Sequence, residues 1–333
     1  MPNVLLITSD QHNPFFCGYA GDSLVTTPSL DGLAAAGTTF GAAYTNNPIC
    51  MPARASLVTG RYGSLIGSYD NGSPYHPDQA ASFGHRLRAR GHPAITFGKL
   101  HFAPDGDSGF DMRLPLQAKK AYAAAIHGWA RGYAPPTSLM TQHALDAQPG
   151  PSEYELYDRH TTSTACRWLV DDAPVDRPWA VHVSFAYPHY PFRAPTGMLP
   201  AEHLEVPLPP AWQREDWPRN AELDTHRHLM GYDERPLTED ELRQLRWIYA
   251  GMVNFVDEQI GRVLYALEAS GQADDTIVIY TSDHGDMLGS HGFLMKSVMY
   301  DASARVPMVI RGPGVDPDRV CDTAVSLVDV FPT

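Results

Sequence analysis

Short apolar runs alternate with helical periodicities along this chain. Val4–Thr8 is apolar and partly β-branched and stops abruptly at Ser9-Asp10-Gln11, which predicts a buried strand with polar residues at its carboxyl end. Runs of the same kind recur at Ala94–Phe97, Trp179–Ala186, Thr276–Thr281 and Val306–Ile310. Between them, Pro28-Ser29 opens a helical pattern through Ala36 that Gly37 closes, and Gln79–Arg90 forms another that Gly91 closes. The strongest helix begins at Thr238, where Thr238-Glu-Asp-Glu241 has the form of a capping box. Leu242, Leu245, Tyr249, Met252, Phe255, Val256, Ile260, Val263 and Leu267 then recur at helical spacing up to Gly271. Strands alternating with helices predict an α/β fold whose largely parallel sheet is covered on both faces.

Two stretches break the pattern. Residues 114–151 and the Pro-rich residues 195–236 are expected to be irregular excursions over the surface of a single domain spanning residues 1–333. A chain of 333 residues scales to roughly 13,500 Å² folded against roughly 53,000 Å² extended, enough for one large core. With 43% apolar and 19% charged residues, wholesale disorder is excluded. The 25 Lys and Arg against 38 Asp and Glu give a net charge of −13, which argues against nucleic-acid and acidic-membrane partners. An anionic substrate would need its positive groups gathered locally. Cys17, Cys50, Cys166 and Cys321 are scattered, with no C-x-x-C pair, as in a reducing compartment; Cys17, Cys166 and Cys321 are expected to be inert and buried. The first residues lack a basic region and no apolar run reaches membrane-spanning length, so the expectation is a cytoplasmic protein.

Ligands of open α/β sheets gather at the carboxyl ends of strands. The first strand delivers Asp10-Gln11, and the strand Thr276–Thr281 delivers Ser282-Asp283-His284-Gly285-Asp286. If these strands are neighbours, Asp10, Gln11, Asp283 and His284 converge. Three oxygen donors and an imidazole suit Ca²⁺, Mn²⁺ or Mg²⁺ better than a closed zinc site. Taken singly, each acid has a structural reading as well, as a helix cap or a turn residue. In Asn46-Asn-Pro-Ile-Cys50-Met-Pro-Ala-Arg54, a helix starting near Pro52 would put Cys50 at a helix N-terminus with Arg54 one turn on. That is the setting of an activated thiolate.

Cys50-x-Pro-x-Arg54 followed by Ala-Ser-Leu-x-Thr-Gly60 resembles the signature of the type I sulfatases, within the alkaline-phosphatase-like superfamily. The resemblance continues in order through Asp10-Gln11, Tyr69-Asp-Asn71, Gly98-Lys-Leu-His101, Pro188-His189-x-Pro191, Ser282-Asp-His-Gly-Asp-Met-Leu-Gly289, Lys296 and Ala304–Ile310. Its wording is nearest to the choline-sulfatase branch. The resemblance implies a large, mostly parallel mixed sheet flanked by helices, and one divalent cation, calcium or manganese ahead of magnesium or zinc. It implies metal ligation by Asp10, Gln11, residue 50, Asp283 and His284. It also implies that a dedicated formylglycine-generating enzyme oxidises Cys50 to formylglycine, whose hydrate attacks the ester from the metal and later expels the anion. Arg54, Lys99 and Lys296 would neutralise charge on the non-bridging oxygens. His101 would deprotonate the second hydroxyl, and His189 would assist the leaving alkoxide.

The implied partner is a small anionic ester, with hydrolysis of a sulfate monoester as the first reading; a homo-oligomer is compatible with the family. A phosphate or phosphonate monoester hydrolase with the same site, and a truncated non-catalytic homologue, are the alternatives. Asn71 either holds a substrate oxygen or shapes a turn. Trp129, in His127-Gly-Trp-Ala, either walls a cage for a quaternary ammonium or anchors its loop. His226 and His228 are expected to be solvated. Family members usually continue with a smaller C-terminal subdomain, which is expected to be absent from this chain.

Overall fold

The computed structural model describes residues 1–103, 105–116, 139–201 and 206–333. Eight strands form one sheet: β1 (Asn3–Ser9), β2 (Thr38–Phe40), β3 (Ala94–Lys99), β4 (Asp111–Leu116), β5 (Ala180–Ser184), β6 (Thr276–Ser282), β7 (Met308–Arg311) and β8 (Arg319–Cys321). Their order is β8-β2-β7-β6-β1-β5-β3-β4. The run from β6 to β4 is parallel, whereas β7 is antiparallel to both its neighbours. The sheet is thus mixed and mostly parallel, as the sequence predicts. Every predicted strand is present, shifted by a residue or two at its ends.

The strands are buried on both faces because helices cover both. On one face Leu5, Ile7, Val181, Val183, Val278 and Tyr280 pack in one core with helices α1 (Pro28–Ala35), α4 (Glu153–Arg167) and α5 (Glu239–Ala269). On the other, Leu6, Ile279 and Met308 pack with Leu57 of α2 (Cys50–Thr59). Helix α2 is buried at all ten positions and ends at Gly60, whose φ of 63° suits a residue without Cβ. Toward the amino ends of the strands this second face opens into a groove of about 720 Å³ lined by Val4, Ile277, Ile310 and Phe331, among others.

The predicted capping box of α5 forms: Thr238 accepts from the Glu241 N–H while Glu241 reaches back to the Thr238 N–H. The helix predicted over 79–90 is shorter. It is α3 (Phe83–Arg88), because Ser82 caps it from inside the predicted span. The chain reaches α2 through two short strands, Thr38–Phe40 and Ala43–Tyr44. The excursion at 195–236 is more ordered than its composition suggests, since Ala221–Leu229 is helical and Trp217, Arg227 and Tyr232 are buried. The excursion at 114–151 includes the helix Leu139–Leu145; its remainder lies largely outside the described residues.

Candidate active site

Strands β1 and β6 end in step, Ser9 opposite Ser282, so the next residue of each strand, Asp10 and Asp283, emerges at the same sheet edge. Helix α2 brings Cys50 to the same point. Its N-terminus has no cap from its own segment; Asn71 Oδ1 accepts the Met51 N–H at 3.0 Å instead. Cys50 is the first residue of the helix, two positions earlier than Pro52 indicates. Ligating atoms of Asp10, Cys50, Asp283 and His284 lie within 4.8 Å of one another, and all four residues are buried. Cys50 Sγ is 3.3 Å from His284 Nε2 and 3.9 Å from Asp10 Oδ1. The Nδ1 of His284 faces the Gly285 carbonyl at 2.9 Å. Donation from Nδ1–H to that carbonyl turns Nε2 toward the cluster.

Three cations surround the carboxylates. Arg54 Nη2 and Nε contact Asp10 and Asp283, each at 2.8 Å, and its Nη1 donates to the Lys99 carbonyl at 2.6 Å and to Ser184 Oγ at 2.8 Å. Lys99 Nζ lies 2.7 Å from Asp10. Lys99 is aimed by a bulge between Phe97 and Lys99, where Gly98 has φ 97° and a Cβ would stand 2.1 Å from the Ser184 carbonyl oxygen. Lys296 Nζ hydrogen-bonds Gln11 Oε1, and Gln11 Nε2 donates to Asp286. Burial alone would raise the Asp10 pKa, but the Lys99 and Arg54 cations beside it hold it well below the usual carboxylate range. Burial and Asp10 push the Cys50 thiol up, yet Lys296, His284 and Lys99 outweigh them and lower it. Cys17 shows the opposite outcome, since burial dominates and pushes its thiol far up.

His189 sits in a turn whose Tyr187–Pro188 and Tyr190–Pro191 bonds are cis, with Nε2 3.9 Å from Asp10 Oδ1. Burial, Lys296 and Lys99 hold its imidazole neutral, well below the usual histidine value. Burial, Lys99 and Arg54 do the same for His101, whose Nδ1 is buried without a partner.

The structure therefore brings Asp10, Cys50, Arg54, Lys99, His189, Asp283 and His284 together, with Gln11 and Lys296 joined at their edge. Asn71 stands behind them as the cap of α2. Trp129 lies outside the described residues. His226 is not solvated, because its ring packs 5.7 Å from Phe293, whereas His228 is largely exposed. Cys166 and Cys321 are half-buried rather than buried. Sequence reasoning missed Ser184 and Asp158. The first had no motif to mark it; the second is a lone acid on the inward stripe of α4, a detectable oddity. A cleft of about 910 Å³ lined by Met198 and Tyr265 shares no residue with this cluster.

The model of the sulfatase family matches residues 2–333. A choline-sulfatase of Rhizobium meliloti is 32% identical, the alignment covering 100% of this chain and 66% of that protein. Arylsulfatase K of Bos taurus is 29% identical, with coverage of 100% and 62%. Among solved structures, the phosphonate monoester hydrolase of Agrobacterium radiobacter superposes with a TM-score of 0.78 at 29% identity, covering 100% of this chain and 73% of that one. The chain thus spans less than two thirds of the length of these two curated relatives. With the family match running across its length and the signature cysteine lodged among two strand-end aspartates and a histidine, the chain belongs to the sulfatase family.

Proposed function

We propose that this chain hydrolyses a small sulfate monoester, releasing an alcohol and sulfate, with Cys50 converted to formylglycine by a dedicated modifying enzyme. The observation that carries the reading is the buried quartet of Asp10, Cys50, Asp283 and His284 ringed by Arg54, Lys99 and Lys296. Two carboxylates, an imidazole whose Nε2 faces them and a nearby amide oxygen fit a hard divalent cation, calcium or manganese before magnesium or zinc. When present, the cation supplies Lewis-acid stabilisation and the formylglycine hydrate supplies the attacking hydroxyl.

The chain's own residues account for the rest. Arg54 holds Asp10 and Asp283 at fixed separation, so both carboxylates are oriented before any ligand arrives. Lys99 and Lys296 present ammonium groups to the ester's non-bridging oxygens, in a buried setting where such charges act most strongly. His101, held neutral, accepts the proton of the second hydroxyl. His189 turns Nε2 toward the cluster and exchanges a proton with the leaving oxygen; the negative charge of an incoming ester offsets the lysine fields that otherwise keep it neutral.

The similarity to a choline-sulfatase favours a small alkyl sulfate, and that to arylsulfatase K an aryl one. The superposition on a phosphonate monoester hydrolase supports a second reading, in which the same site acts on phosphonate or phosphate monoesters. Rates on matched aryl sulfate, phosphate and phosphonate esters separate the two. The sulfate is expected to be the best substrate, and a sulfate slower by orders of magnitude transfers the assignment to the second reading. Peptide mass spectrometry of the Cys50 segment is expected to show the aldehyde, and Cys50→Ala to abolish turnover. An unconverted thiol in material from the native host instead indicates a non-catalytic homologue.

A further inference from the structure

We propose that Asp158 and Tyr190 are positioning residues that together fix the imidazole of His189 for proton exchange with the leaving group. The inference rests on the hydrolase reading for its catalytic consequence and on geometry alone for the positioning.

Asp158 is fully buried on α4, and its two carboxylate oxygens each accept one backbone N–H from consecutive residues, Ala186 at 2.8 Å and Tyr187 at 2.9 Å. These residues begin the turn that carries His189, whose own N–H donates to the Ala186 carbonyl at 3.1 Å. The Tyr187 carbonyl accepts the Asp10 N–H at 3.2 Å, so the same turn is tied to the cluster from the opposite side. One helical turn before Asp158, on the same face of α4, Tyr154 lies edge-on to His189, with ring centroids 6.1 Å apart.

Tyr190 holds the ring itself. Its carbonyl lies 2.6 Å from His189 Nδ1, and its ring stacks on the imidazole with centroids 4.1 Å apart. The His143 ring also lies against Tyr190, with centroids 4.6 Å apart. The Nδ1–H is therefore committed to a carbonyl and Nε2 is left for the reacting proton. An aspartate is required at 158 because two N–H donors need two acceptor oxygens; asparagine offers one and turns an amide donor against the other N–H. Burial pushes the Asp158 carboxyl up to about 7 despite these two bonds, whereas an apolar side chain here would leave both buried N–H groups without an acceptor.

Asp158→Asn tests this in two ways. In histidine-labelled protein, ¹⁵N spectra assigned with His189→Gln are expected to show the Nδ1–H tautomer of His189 in the wild type and a tautomer mixture in Asp158→Asn. That reading needs no turnover, so it stands even if no sulfate, phosphate or phosphonate ester proves to be a substrate, the result that would remove the hydrolase reading by itself. With an active ester, Asp158→Asn is expected to lower kcat by roughly 10–100-fold for alkyl leaving groups, less for nitrophenyl ones, with KM little changed. In the His189→Gln background the same change is expected to cost almost nothing. An unchanged tautomer, or losses that add across the double variant, overturns the proposal. Should Asp158→Asn fail to fold, Tyr190→Leu, which keeps the carbonyl and removes the stacking ring, is expected to give the same leaving-group-dependent loss, and its absence would be equally decisive.

Discussion

Arg54 is the residue on which the centre's geometry turns. It makes four hydrogen bonds, two of them to the carboxylates that arrive from different strands. A planar fork with donors in fixed directions can bracket Asp10 and Asp283 at once; an ammonium is a point charge and cannot. Arg54→Lys, which keeps the charge, is therefore expected to weaken divalent-metal affinity roughly 10–100-fold. Metal titration against a competing chelator measures this, and an unchanged affinity would remove Arg54 from the role of brace. The signature made Arg54 legible as a cation beside the cysteine but not its orientation toward two acids, because its partners are 44 and 229 positions away in sequence. Environment likewise separates two cysteines that look alike as letters: the same burial acts on Cys17 and Cys50, and only the latter has three cations close enough to reverse its effect.

Helix starts show where local pattern stops informing. The sequence places α1 correctly from Pro28-Ser29, yet no nearby side chain caps it. Asp257, on α5, accepts the Ser29 N–H at 3.0 Å and the Leu30 N–H at 2.9 Å. Helix α2 follows the same plan with Asn71. Such caps come through tertiary packing and leave no local signature, whereas the capping box of α5 is contained in four adjacent letters and was readable. Asp257 also makes a pH prediction. Burial pushes its carboxyl up to about 6, against the two N–H bonds, from an ordinary 3.8. Between about pH 4 and 6 the folded chain thus holds more protons than the unfolded one, so this group's contribution to stability falls as pH rises through that window. Asp257→Asn is expected to remove that slope, so that urea midpoints of variant and wild type diverge in the variant's favour from pH 4 to 6 and run parallel above it. Parallel curves throughout would show that Asp257 does not titrate there.

At the scale of the molecule, the segment read as an irregular excursion holds one wall of the centre. Arg227 is buried with its guanidinium 4.3 Å from the Phe293 ring and 5.1 Å from the Trp217 ring. It donates to the Pro218 carbonyl at 3.0 Å and to the His291 carbonyl at 2.9 Å, and Tyr232 Oη donates to the Leu294 carbonyl at 2.9 Å. Gly292 lies so close beneath Trp217 that a Cβ would stand 2.1 Å from its ring. Residues 206–236 thereby grip the loop that runs from His284 to Lys296. Composition could not reveal this, because prolines and charges mark the segment as surface while its three anchors face inward. Arg227→Met keeps much of the apolar contact but removes the donors of two part-buried carbonyls, which is expected to lower unfolding free energy by about 1–3 kcal/mol. If the grip also fixes Lys296, kcat/KM should fall by roughly tenfold or more at temperatures where the variant is still folded, since displacement of a positioning charge by an ångström is costly. Loss of stability with unaltered kcat/KM would assign the excursion to folding alone and leave Gln11 as the principal anchor of Lys296.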